Sequence, residues 1–152
     1  MAGELWSKKK TNIPWRAPTI GDIIGCGLAR IYGDGTEKIL QGESRLWKLL
    51  IAQSAHLIWA LHCERVIRNE GRNFTENKIR NRWVKKVNDL LELNRNMTHR
   101  KYDKKALSKR LVLQTWKGIL VNEDRLPRDW MDYWIDRVLV GTTGRDGNGG
   151  VG

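Results

Sequence analysis

The chain reads as an all-α protein of about four helices packed around a buried central helix, residues 44–69. Three observations predict this. A long segment repeats its apolar residues at the helical period, two further segments are amphipathic at the same period, and no alternating strand pattern of useful length or internal repeat occurs. At 152 residues the chain is one domain's worth, large enough for its own core.

Residues 1–18 form a basic, irregular N-terminal segment, held extended or in turns by Pro14 and Pro18 and tacked onto the body by Trp6 and Trp15. A single helical domain then spans 19–140. It opens on a short helix from Thr19 weakened by Gly21, Gly25 and Gly27, followed by a turn at Gly33-Asp34-Gly35. The central helix, from about Ser44 to Asn69, has Leu46, Leu49, Leu50, Leu57, Ile58, Leu61 and Val66 at the helical period. Trp47, Ile51, Ala55 and Trp59 widen the stripe almost all round, so the other helices should cover it. Thr75 caps a second helix, with Glu76 where the macrodipole favours an anion and an apolar stripe of Ile79, Trp83, Val87, Leu90, Leu91 and Asn94. Trp59 and Trp83 are expected to bury against each other's helix. Asp103 caps a third helix over Lys104–Val121, and a fourth, acidic one runs from Asp129 to Val140 after Pro127. The tail, 141–152, has six glycines in twelve residues and is expected to be disordered.

The charge is uneven. The net charge is +11, yet Arg68 to Lys117 holds fifteen Lys and Arg against five acids, and the rest of the chain thirteen against twelve. Solvated helix faces explain polar residues, but not why one sign wins three to one. Such a field attracts polyanions, nucleic acid foremost. The expected phosphate contacts are Lys78, Arg82, Lys85, Lys86, Arg95, Arg100, Lys101, Lys104, Lys105, Lys109 and Arg110. They are interleaved with Asn77, Asn81, Asn88, Asn94, Asn96, Thr98, His99 and Tyr102, which supply donors and stacking groups. The link from Asn94 to Lys105 is the densest part.

Chemistry is harder to find. Gly25-Cys26-Gly27 begins like a dinucleotide fingerprint, but Arg30 stands where the third glycine belongs and no strand precedes it. His56 and Cys63 share a helix face, with His62 and Cys26 able to approach, yet no close ligand pair exists, so packing of a buried His and Cys is expected. Asp129, Asp132 and Asp136 share one side of the fourth helix. They could hold a divalent cation as nuclease carboxylates do, or dock on the basic helices, and docking is expected. No nucleophile arrangement or Walker-type loop occurs. The expectation is no catalysis, no metal and no cofactor.

No window reads as a membrane span, and the N-terminus lacks an apolar signal-type stretch. Synthesis in a reducing compartment, nucleus or cytoplasm, with free and buried Cys26 and Cys63, follows as an expectation.

The runs Arg45-Leu46-Trp47-Lys48-Leu49-Leu50, Ser54-Ala55-His56-Leu57-Ile58-Trp59 and Cys63-Glu64-Arg65-Val66-Ile67 resemble the C-terminal helical region of fungal non-LTR retrotransposon reverse transcriptase/ribonuclease H polyproteins. So do Asn81-Arg82-Trp83-Val84, Lys104-Lys105-Ala106-Leu107 and Leu111-Val112-Leu113-Gln114-Thr115-Trp116. The resemblance covers about residues 13 to 140. It implies a module downstream of reverse transcriptase and ribonuclease H domains, which become possible partners. That family's polymerase motif, ribonuclease carboxylates and Cys/His zinc element have no counterpart here. The reading is a nucleic-acid-binding helical module, RNA or DNA. The alternatives are a protein-interaction module with an acidic partner, or a small metal-dependent nuclease.

Overall fold

The computed structural model describes residues 1–9, 11–68, 70–128, 130–131 and 138–141. Among these lie five α-helices: α1 (Ala2–Lys8), α2 (Ile20–Ile24), α3 (Gln41–Ile67), α4 (Glu76–Asn96) and α5 (Lys109–Trp116). Short 3-10 turns occupy Cys26–Leu28, Arg100–Lys105 and Glu123–Arg125, and the described residues contain isolated bridges but no β-strand. The protein is all-α. The expected disorder of the tail concerns residues that, except Gly141, lie outside those described.

Helix α3 is about 40 Å long at 1.5 Å per residue and organises everything else. It starts at Gln41, three residues ahead of the expected boundary. Its N-terminal half is enclosed: Gly42, Ser44, Leu46, Trp47, Leu50 and Ile51 are buried. A methyl group on Gly42 would collide with the Gln114 backbone, so this position must be small for α5 to pack there. In the C-terminal half only Leu57 and Leu61 are buried, while Ile58, Trp59, Val66 and Ile67 are 61–77% exposed. A fully covered helix, and a buried Trp59, are therefore corrected. Helix α5 has only eight residues and packs against the first half of α3, so one face of the second half is left uncovered.

Helix α4 returns antiparallel to α3. Thr75 caps it as expected, its hydroxyl accepting from the Lys78 amide at 3.3 Å. Trp83, Val87, Leu91 and Asn94 are buried. Trp83 donates its indole N–H to Ser54 at 3.0 Å, which satisfies the polar atom of a ring that is 3% exposed.

The third helix is shorter than the sequence suggests. Asp103 does not cap it; its backbone sits at φ 45°, inside the 3-10 turn. Ala106 is extended, α5 begins after Ser108, and Gly118 at φ +86° stops it two residues past Trp116. The chain then runs extended. Leu120 bridges Val140 antiparallel, with Val121 donating to Leu139 at 2.8 Å and Gly141 to Ile119 at 3.0 Å. The end of the expected Asp129–Val140 helix is thus not helical. Ile119, Val121, Val138 and Val140 are β-branched, which favours this pairing over a helix. Asp129 and residues 132–137 lie outside the described residues.

Residues 11–18 have no regular structure, as expected, but a two-turn helix, α1, precedes them. Trp6, Trp15 and Trp47 form a cluster, with Trp6 edge-on to Trp47 at 5.4 Å and Trp15 at 4.8 Å from Trp47. Lys9 is buried, and its ammonium donates to the carbonyls of Gln114, Thr115 and Lys117. Those carbonyls belong to the last turn of α5, where no helical N–H reaches them and the macrodipole is negative. The lysine therefore caps α5 from another element. Burial pushes its pKa below the usual 10.5.

Candidate nucleic-acid interface

The basic link forms a distinct structural unit. The Leu107 amide donates to the Met97 carbonyl at 2.8 Å and pinches the neck of a nine-residue loop, 98–106. Such closed-necked loops project from the surface. Internal turns hold its shape: Tyr102 N–H to His99 at 3.1 Å, and Ala106 N–H to Asp103 at 3.0 Å. His99 through Lys105 are all exposed. Among the described residues Arg100, Lys104, Lys105 and Arg110 have no hydrogen-bond or ion-pair partner, and Lys101 only lies over the Tyr102 ring at 5.1 Å. Lys109 and Arg110 open α5, whose first turn has no acid. The macrodipole disfavours cations there by a few tenths of a kcal/mol, and the free N–H groups of a helix start suit an anion. Loop and helix start together hold Arg100, Lys101, Lys104, Lys105, Lys109 and Arg110 against one acid, Asp103.

The other expected contacts, on α4, are largely engaged within the chain. Arg82 makes a two-pronged ion pair with Glu64 of α3. Those hydrogen bonds raise the Arg82 pKa and hold Glu64 below its usual 4.5. Lys78 lies 3.9 Å from the same carboxylate and over the Phe74 ring at 4.7 Å. Lys85 pairs with Asp89 at 2.7 Å, one turn on. Lys86 meets His56 Nδ1 at 3.1 Å. Arg95 donates to the Trp130 carbonyl at 3.0 Å and lies over its ring at 5.7 Å. The expected interface is therefore not one continuous face.

Several of the interleaved amides are structural as well. Asn94, 2% exposed, accepts from Arg45 and from the Trp116 indole at 3.4 Å, and Arg45 also reaches Thr115 at 3.4 Å. This polar centre ties α3, α4 and α5 together, and burial lowers the Arg45 pKa. Asn88 accepts from the Val140 amide at 2.7 Å.

His56 is exposed and not packed in the core, a second correction. It lies where α3 loses its cover, as does His62, whose ring stacks on Trp59 at 5.9 Å and 27°. Cys26 and Cys63 are free and half-buried. No group of three His, Cys, Asp or Glu is placed to hold a metal ion among the described residues. The glycine-rich Gly25–Gly27 stretch makes a 3-10 turn after α2. Helix α2 is held by a capping box between Thr19 and Asp22, and Arg16 grips the same carboxylate with both prongs at 2.8 and 2.6 Å. An apolar cleft of about 300 Å³ between α1, α3 and α4 is lined by Ala2, Trp15, Leu57, Ile58 and Ile79, with no acid or histidine among its walls. No helix among the described residues is long and apolar enough to cross a membrane.

No protein-family model, curated protein or solved structure matches the chain.

Sequence reasoning missed two features of this surface. The role of Lys9 as a cap of α5 and that of Arg45 as a polar tie to Asn94 left no local signal, since their partners lie 105 and 49 positions away. The exposure of Trp59 had one. A helix apolar nearly all round needs partners along its whole length, and the expected third helix over Lys104–Val121 supplies only the eight residues of α5.

Proposed function

We propose that this protein binds nucleic acid, RNA or DNA, through phosphate contacts made chiefly by the 98–106 loop and the start of α5. One observation carries the reading: Arg100, Lys101, Lys104, Lys105 and Arg110 are held out on a pinched loop and a helix start with no acidic partner in the described chain. A fold does not gain from concentrating like charges this way, because each repels the next, whereas a polyanion relieves that repulsion. The cations of α4 contribute secondarily, Lys86 foremost, since ion pairs already neutralise Arg82 and Lys85. Binding of this kind is sequence-tolerant and salt-sensitive. The resemblance to the C-terminal region of retrotransposon polyproteins agrees with such a role, as an accessory module without chemistry of its own.

The test is a salt series with labelled single-stranded and duplex RNA and DNA, comparing the natural chain with Lys101→Gln/Lys104→Gln/Lys105→Gln. Losing three phosphate contacts should weaken binding and flatten the slope of log affinity on log salt by about 2 to 3. An unchanged slope in a folded triple variant rejects the loop as the interface.

A second reading, a helical module for an acidic protein partner, is favoured by Ile20, Ile24 and Leu28. These are 73–84% exposed on one short stretch next to α3. Nucleic-acid binding with a weak salt dependence, or none at all, would favour it.

A further inference from the structure

We infer that the open half of α3 is a base-stacking site for single-stranded nucleic acid, with Trp59 as the plate and Lys86 as the adjacent phosphate contact; this rests on the nucleic-acid reading proposed above.

Trp59 is 67% exposed although it is the largest side chain on its face. His56 and His62 flank it one turn away, and the residues in line with it along α3 are small: Ala55 and Cys63 one turn away and Ala52 two turns away. They leave the ring standing clear of the helix. His62 stacks on one side of the indole, with 27° between the planes, and holds its orientation. The opposite ring face is left for a ligand. A flat, oriented aromatic surface suits a base, whose whole face can lie on it, and every base has such a face.

Charge decides between a base and a protein helix. His56 lies one turn before Trp59 on the same side of α3, and Lys86 of α4 meets it at 3.1 Å. Lys48 lies three turns before Trp59 on this side. Among the described residues, Glu64 of α3 is taken by both prongs of Arg82, and Asp89, one turn from Lys86 on α4, pairs with Lys85. A cationic edge beside an aromatic plate matches a strand that offers a base and a phosphate together. Ile58, Val66 and Ile67 extend the apolar ground around the plate. Duplex nucleic acid keeps its base faces stacked internally and cannot use it, so the site distinguishes single strands from duplex where the basic loop does not.

The experiment compares ten-nucleotide oligo(U) and oligo(dT) with a duplex of matched length at fixed salt, for the natural chain, Trp59→Ala and Trp59→Phe. Because the ring is exposed, the alanine variant should fold, as circular dichroism and the urea midpoint will show. The natural chain should favour the single strands. Trp59→Ala should lose about tenfold in single-strand affinity, the loss expected for one stacked base, with duplex affinity and salt slope unmoved. Trp59→Phe should lose less. Single-strand affinity untouched by Trp59→Ala, with the salt-dependent binding intact, overturns the stacking site and leaves the phosphate interface standing. Equal losses on single strand and duplex overturn it too. No binding of any nucleic acid by the natural chain removes both readings. A self-associating natural chain whose dimer Trp59→Ala dissolves, without loss of single-strand binding, assigns the face to a second copy.

Discussion

Lys9 and Lys104 carry the same side chain into opposite surroundings. Lys9 is buried, and its ammonium closes three carbonyls at the end of α5. Lys104 stands on a pinched loop, exposed, with no partner among the described residues. The same division separates Arg45, held by Asn94 and Thr115, from Arg100 and Arg110. It runs through the tryptophans as well, with Trp83 at 3% exposure and Trp59 at 67%. A residue type fixes what a side chain can offer. Which offer is taken up inside the fold depends on the elements that cross it, and only what is left over is open to a ligand. Net charge therefore overstates what is left open to a polyanion, because part of it holds helices together.

The tryptophans give the largest contrast. Trp83→Ala removes a buried ring and orphans the Ser54 hydroxyl, and should destabilise the fold by about 3 to 5 kcal/mol. Trp59→Ala should stay within about 0.5 kcal/mol of the natural chain, as surface changes do. Urea denaturation measures both. Equal costs would mean that Trp59 is covered in solution, and would break the division between the closed and open halves of α3.

Lys9→Met comes next. It keeps most of the apolar stem and leaves three carbonyls at the end of α5 without their donor. Buried hydrogen bonds to a charged group contribute about 1.5 to 3 kcal/mol, offset here by relief of the ammonium's desolvation. A net loss of about 2 kcal/mol is expected, against none for Lys104→Met. The binding assays should reverse this order: Lys104→Met weakens nucleic-acid affinity and Lys9→Met, where folded, does not. If the two lysines behave alike in either assay, the comparison fails.

Arg82→Gln sharpens the boundary between the two groups. Its guanidinium is committed to Glu64 in a pair whose side chains are 36% and 29% exposed. Partly exposed ion pairs contribute about 1 kcal/mol or less. Stability should fall by no more than that, and the salt slope of nucleic-acid binding should barely change. A slope reduced as much as by a loop substitution would return Arg82 to the interface.

Much of this fold was legible in the chain. The α3 and α4 helices, the Thr75 cap, the buried stripe of α4 and the Gly33–Gly35 turn follow from period and capping chemistry, which are local. What was not legible depended on long-range pairing. Asp103 looks like a helix cap in sequence, but the Leu107 to Met97 hydrogen bond closes a loop around it and moves the helix start to Ser108. Val138–Val140 continues a plausible helix until Ile119–Val121 is there to pair with it. The densest stretch of the candidate interface could be listed from composition because Arg100, Lys104 and Lys105 have no partner among the described residues, whereas Arg95 at its start is engaged with Trp130. That Arg82 and Lys85 are engaged within the chain was not legible, because a count of charges does not show that Glu64 and Asp89 pair with them.

The smallest effect tests that last point through pH. Glu64 is held below its usual 4.5, first by the hydrogen bonds from Arg82 and then by the charges of Arg82, Lys78 and Arg68, against a smaller opposing push from desolvation. A carboxylate whose pKa is depressed in the folded state binds fewer protons than in the unfolded chain, so acid favours unfolding. Its contribution is fully present above 4.5 and is lost as pH falls through the folded value. Asp22, gripped by Arg16, titrates the same way from its usual 3.8. Glu64→Gln removes one of these two contributions and leaves the other. Urea midpoints taken from pH 7 down to pH 3 should show the natural chain ahead of Glu64→Gln at neutrality, with the gap narrowing below about pH 4.5. In Arg82→Gln the same Glu64→Gln change should produce almost no pH-dependent gap, because the guanidinium that depresses the carboxyl is gone. A gap that persists unchanged to pH 3, or that survives the loss of Arg82, would show that this arginine is not committed to Glu64 and is available to a phosphate after all.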